Sequence, residues 1–126
     1  MVAELDLLQY FIGDRRRMSF KYDNDLRLRL EKVSKKLDLS LAPTVSFILV
    51  AGYLYIKNNP SVRTQPYIAK NWEFNTSLYI NANFYRLRTE VQKLVKYNKG
   101  VTQNTLVHYG LIAFEQGQDL KIILSN

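Results

Sequence analysis

The chain contains no cysteine, which excludes a disulfide framework, a zinc ribbon and thiol catalysis. Its only histidine is His108 and its carboxylates are dispersed. Neighbouring residues therefore supply no metal-ligand cluster and no nucleophile–base pair. Glycine-rich phosphate loops are missing too. These absences argue against an enzyme and leave no catalytic residue, metal site or cofactor to expect; His108 is read as a packed or partly exposed residue. The first residues, MVAELDLLQYFIGD, carry acidic side chains where a secretory signal would carry positive ones, so they are not read as a signal. Residues 41–56, LAPTVSFILVAGYLYI, are apolar enough to suggest a membrane span, but 16 residues fall short of the ~20 required, and Pro43 and Gly52 interrupt them. A helix apolar on all sides belongs at the centre of a bundle, and no membrane partner is expected.

The chain has 126 residues, of which 47% are hydrophobic and 23% charged. That composition suits one compact globular domain with a real core. The formal net charge is +7 and both halves of the chain are basic. A basic balance favours a polyanionic partner through counterion release and carries no information about sequence preference.

The same succession of signals occurs twice, about 60 residues apart, with little identity. In the first copy Met18, Phe20 and Tyr22 alternate with Arg17, Ser19 and Lys21, the period of a half-buried strand. Asp23, Asn24 and Asp25 follow as candidate helix caps. In the second, Leu78, Ile80 and Ala82 alternate with Ser77, Tyr79 and Asn81, and Asn83 stands where a cap is needed. An amphipathic helix follows each strand. Its stripe is Leu26, Leu30, Val33 and Leu37 in copy one, and Leu87, Val91 and Leu94 in copy two, where Asn98 breaks the pattern. Arg27, Arg29, Lys32, Lys36, Arg86, Arg88, Lys93 and Lys96 lie off the stripe and read as a solvated face. A short turn leads to a second, more apolar helix, with Ser40 and Thr102 as N-caps. Gly100 suits the preceding helix end, while Asp38 is a poorer choice at the matching place. Val45, Leu49, Val50 and Ala51 match Val107, Leu111, Ile112 and Ala113 at an offset of 62.

The resulting division is an N-terminal extension over 1–14 compatible with a short helix, a first unit over 15–56, a linker over 57–75, a second unit over 76–115 and a tail over 116–126. Tyr67, Ile68 and Trp72 suggest that part of the linker packs on the body. Apolar residues of both ends, Leu5, Leu8, Phe11 and residues 122–124, are compatible with docking on the core or with self-association.

Strand, basic amphipathic helix, capped turn and apolar second helix within about 40 residues resemble the ribbon-helix-helix family of Arc, MetJ and CopG type. The match covers roughly two-thirds of the chain. Two copies in one chain look like a fused pseudo-dimer, similar to tandem transcriptional regulators of archaeal filamentous viruses. The resemblance implies a mainly α fold with a two-stranded antiparallel β-ribbon and an intracellular, DNA-associated transcription regulator, in the host cytoplasm if viral. Whether the ribbon forms within one chain or between two is left open.

A two-stranded ribbon fits the major groove. With the apolar positions inward, Arg17, Ser19, Lys21, Ser77, Tyr79 and Asn81 face outward as candidate base contacts on double-stranded DNA. Arg15 and Arg16 at the ribbon's edge suit phosphates, which position a protein without reading sequence. The family resemblance implies a second phosphate anchor at the starts of the second helices, at Ser40, Thr102 and Asn104. The rival readings are an antitoxin-like protein-interaction module and a viral structural or membrane-associated protein built on residues 41–56.

Overall fold

The computed structural model describes residues 3–6, 8–59, 61, 63–95, 98–115 and 120–123. Side chains of residues 3–6, 8, 99, 113 and 120–123 lie outside that description, and so does all of residue 124. The expectations placed on Leu5, Leu8 and residues 122–124, and on Lys96, therefore fall outside it. The element order is β1 (Ala3–Asp6), a single 3-10 turn (Leu8–Tyr10), β2 (Arg16–Tyr22), α1 (Asn24–Leu37), α2 (Leu41–Asn58), β3 (Phe74–Ile80), α3 (Ala82–Val95), α4 (Lys99–Glu115) and β4 (Leu120–Ile123). Strand, helix, helix thus occurs twice. The short helix expected near the N-terminus is instead a strand and a 3-10 turn, and β1 pairs in parallel with β4.

β2 and β3 pair antiparallel within the one chain, Arg16 opposite Ile80 through Met18 opposite Leu78 to Tyr22 opposite Phe74. Alternation then separates the two faces. Met18, Phe20, Tyr22, Leu78 and Ile80 are buried, and α2 and α4 cover that side, α2 packing on β3 and α4 on β2. Inside, the Phe20 and Tyr22 rings stack at 5.0 Å, and the Tyr22 hydroxyl is hydrogen-bonded to Thr76 Oγ1 at 2.7 Å. β3 starts three residues earlier and ends two residues sooner than its alternation suggests. Ala82 accordingly leaves the inward set and becomes the exposed first residue of α3.

Asp23 begins α1. Its extended backbone and its carboxylate accepting the Leu26 N–H at 3.0 Å make it the N-cap, and Leu26, Leu30 and Val33 are buried as their spacing requires. The helix stops at Asp38, which adopts the left-handed conformation with φ 54°, a position more often filled by glycine. In α3 the buried stripe is Phe84, Leu87, Val91 and Val95, and Leu94 is 50% exposed. The stripe is turned because Phe84 packs edge-on against Tyr53 of α2, ring centroids 5.2 Å apart. Off the stripes, Lys32, Lys36, Arg86 and Lys93 are exposed as expected, whereas Arg29 is tied to Glu115 at 2.9 Å and Arg27 lies 4.3 Å over the Phe74 ring.

α2 is the one helix among the described residues long and apolar enough to cross a membrane, but ten of its residues are buried inside the fold. Its apolarity is used by packing against α3 and α4. The α2–α4 crossing is close because both helices present glycine. A Cβ at Gly52 would overlap the Leu106 carbonyl oxygen, and one at Gly110 would lie 2.7 Å from the Ile48 carbonyl oxygen. Neither contact is with a flexible side-chain end, so relief requires the helices to separate. Gly52→Ala is expected to destabilise the protein by about 3 kcal/mol, the upper range of overpacking costs. Urea unfolding checks this; an unchanged midpoint would contradict the close crossing.

Candidate nucleic-acid interface

The solvent side of the β2–β3 ribbon carries Arg17, Ser19 and Lys21, all exposed, and Asn75, Ser77 and Tyr79 from β3. The register sets them in three cross-strand pairs: Arg17 with Tyr79, Ser19 with Ser77, Lys21 with Asn75. Arg17 Nε donates to Ser77 Oγ at 2.9 Å. This lays the guanidinium across the ribbon and engages only one of its five N–H groups. Neither strand contains an acidic residue. Five of the six expected outward residues are thus brought onto one face.

Asn81 is not among them. The strand ends at Ile80, and Asn81 is buried as the cap of α3. Its side-chain oxygen accepts the N–H groups of Asn83 and Phe84 at 3.0 and 3.4 Å. Its amide donates to the Gln9 and Ile12 carbonyls at 2.6 and 2.9 Å. Asn83, expected as the cap, is one residue inside the helix. Asn75 takes the outward place instead. The signal was present in the sequence, since continuing the alternation back through Thr76 and Phe74 leaves Asn75 pointing out.

Around the ribbon, Arg15 and Arg16 are exposed. Arg15 lines a hollow of about 220 Å³ with Ser77, Tyr79, Pro43 and Phe47, whose floor includes Phe11 packed edge-on against Phe47 at 5.2 Å. Ser40 is exposed and is the N-cap of α2, with its side chain making no cap hydrogen bond. The matching residues of α4 differ from expectation. The cap is Asn98, whose Oδ1 accepts the Val101 N–H and whose carbonyl accepts the Thr102 N–H, both at 2.9 Å. α4 therefore starts three residues before Thr102, and Gly100 lies inside its first turn. Thr102 and Asn104 are buried, and Asn104 Nδ2 donates to the Lys21 carbonyl at 2.9 Å. Asn104 ties α4 to the underside of β2; neither it nor Thr102 is placed to meet a phosphate.

The chain matches no known protein family, no curated protein and no solved structure. Among the described residues no group of three or more His, Cys, Asp or Glu side chains could hold a metal ion.

One end of the ribbon is buttressed by the linker. Tyr67 donates its hydroxyl to the Asp23 carboxylate at 2.9 and 3.0 Å, its N–H to Thr105 Oγ1 at 2.9 Å, and its ring faces His108 at 5.2 Å. Lys70 adds its N–H to Asp23 at 3.2 Å and an ion pair to Asp25 at 3.0 Å. Burial pushes the Asp23 carboxyl up, but the hydrogen bonds from Leu26, Tyr67 and Lys70, with the Lys70 charge, hold it below the ordinary value. Of the linker residues expected to pack, Tyr67 does so, whereas Ile68 is 68% and Trp72 51% exposed.

His108 Nδ1 accepts a hydrogen bond from the Arg29 guanidinium at 2.8 Å, which requires that nitrogen to be unprotonated. Burial first, and the Arg29 charge second, hold its pKa below 6.5, against a smaller opposite pull from Glu115. The unfolded chain therefore binds this proton more readily than the folded one. The stability supplied by neutral His108 is complete above about pH 6.5 and is lost as pH falls below it. Urea unfolding at pH 5.0 and 7.5 is expected to give the lower midpoint at pH 5.0, and His108→Gln to reduce the difference; the reverse pH order would contradict the Arg29–His108 contact. Asn81→Ala is expected to cost about 2 kcal/mol, the upper range for a lost cap, in the same assay.

Proposed function

We propose that this chain is a sequence-specific, double-stranded-DNA-binding transcription regulator of ribbon-helix-helix type, its two units forming a pseudo-dimer within one chain. The observation that carries the reading is the outer face of the β2–β3 ribbon. It is exposed, free of acidic residues and made of side chains able to hydrogen-bond base edges.

Two coincidences support the pseudo-dimer. Met18 and Leu78, equivalent in the repeat at an offset of 60, stand directly opposite each other in the ribbon. Ile48 and Gly110, equivalent at an offset of 62, meet where α2 crosses α4. Equivalent positions that face each other are what a two-fold axis produces, and one axis through the ribbon centre and the helix crossing accounts for both.

On this reading the ribbon enters the major groove, which admits two strands. Arg17 and Lys21 donate to guanine O6 and N7, Asn75 pairs with adenine N6 and N7, Ser19 and Ser77 bond either donor or acceptor, and Tyr79 touches a thymine methyl. Arg15, Arg16 and the Ser40 helix start hold flanking phosphates, where the α2 dipole and N–H groups favour an anion. Repeat-equivalent positions carry different outward residues, Arg17 against Ser77 and Ser19 against Tyr79. The operator is therefore an imperfect palindrome. The protein works inside the cell, on DNA.

Selection from random duplexes tests this. Wild type is expected to enrich a defined sequence, with affinity falling steeply with salt. Arg17→Ala, Lys21→Ala and Asn75→Ala are each expected to cost about 1–3 kcal/mol of discrimination at one position and to leave salt-sensitive binding in place. Asn81→Ala is expected to keep the wild-type preference. Preferences unchanged in all three outward variants would sink the ribbon reading.

A further inference from the structure

The chain's only tryptophan stands at the rim of the ribbon's outer face. Trp72 lines an open hollow of about 410 Å³ with Ser19 and Lys21 of β2 and Gln103 of the first turns of α4. Two of those residues belong to the proposed reading face, so hollow and face are continuous. The segment carrying Trp72 is held on both sides. Before it, Tyr67 and Lys70 bind Asp23 and Asp25, and Asn71 Oδ1 accepts the Glu73 N–H at 3.4 Å. After it, Phe74 pairs with Tyr22 in the ribbon and lies beneath the Arg27 guanidinium. A half-exposed indole on a segment anchored this way occupies a defined place. The opposite end of the ribbon is built differently, with the hollow beside Tyr79 floored by Phe11 and Phe47.

We infer that Trp72 is a third DNA contact, used on one half-site only, where its ring packs on the deoxyribose of the nucleotide that borders the β2 end of the ribbon. The inference rests on the DNA-binding reading above. The chemistry fits a nucleotide unit: an indole offers a flat apolar surface to a sugar or base, as aromatic platforms do. At the same hollow Gln103, whose Nε2 also lies 3.5 Å from Met18 Sδ, offers an amide to the adjoining phosphate, while Lys21 keeps to the neighbouring base edge. Glu73, exposed beside Trp72 in the chain, makes this end less basic than the Arg15–Arg17 end. Stacking, more than charge, therefore carries the contact.

Because there is one tryptophan, its emission reports this contact alone. The protein is titrated with a two-turn duplex of the best selected sequence, and separately with a scrambled one, and duplex binding is followed in parallel by mobility shift. Trp72 emission is expected to be quenched, and its quenching by acrylamide reduced, with the same concentration dependence as binding. Trp72→Ala is expected to weaken binding about tenfold at an unchanged salt slope, since no charge is removed. It should also shorten the footprint on one side only, with Trp72→Phe recovering part of the affinity. Circular dichroism controls for folding. Duplex binding with unaltered emission and acrylamide access, or wild-type affinity for Trp72→Ala, overturns the Trp72 contact and leaves the ribbon reading standing. Absence of salt-sensitive duplex binding overturns both.

Discussion

Backbone pairing between β2 and β3 is the constraint from which the rest of the molecule follows. A lone strand leaves its N–H and C=O groups unsatisfied, and a two-stranded ribbon is marginal unless one face is covered. Pairing residues 16–22 with 74–80 closes the ladder and commits Met18, Phe20, Tyr22, Leu78 and Ile80 to one side. The second helices answer that apolar side, and they can approach each other because Gly52 and Gly110 stand at their crossing. Once α2 and α4 are spent on the inner face, the outer face is left to water and to Arg17, Ser19, Lys21, Asn75, Ser77 and Tyr79.

Having both strands in one chain changes what each can become. In the proposed pseudo-dimer the pairing is intramolecular, so it needs no minimum protein concentration, and the halves are free to diverge. The ribbon's two ends differ. Lys21 faces outward in β2, while Asn81, at the matching place 60 residues on, faces in to cap α3 and to hold the Gln9 and Ile12 carbonyls. The linker adds a second asymmetry, since Tyr67 gathers Asp23, Thr105 and His108 at one end only.

The two ribbon strands, the first-helix stripe of copy one and the apolar second helices were legible because they are periodic: Met18–Phe20–Tyr22, Leu26–Leu30–Val33 and Val45–Leu49 carry a burial pattern in their spacing alone, whereas β1, expected as a short helix, carries none. What escaped depended on single polar residues whose roles are decided by neighbours. Asn81 and Asn98 are both good caps in principle, but which asparagine caps depends on where the preceding segment stops. That is set by the Gln9 and Ile12 carbonyls for Asn81 and by the early start of α4 for Asn98. Thr102 looked like a cap for the same reason and proved to be one turn inside. Leu94 lost its burial to Val95 because Phe84 has Tyr53 to pack on, a tertiary preference with no trace in the local pattern. Tyr67 and Trp72 are similar in character as sequence; only the proximity of Asp23 makes the first an anchor and leaves the second at the surface.

Amide chemical-shift mapping by nuclear magnetic resonance, on adding a selected duplex to the labelled protein, locates the DNA contact residue by residue. The largest shifts are expected to cluster at residues 17, 19, 21, 75, 77 and 79, with the buried positions 20 and 80 and the outer surfaces of α1 and α3 little affected. Shifts concentrated on α1 or α3, with the ribbon unmoved, would contradict contact through the ribbon.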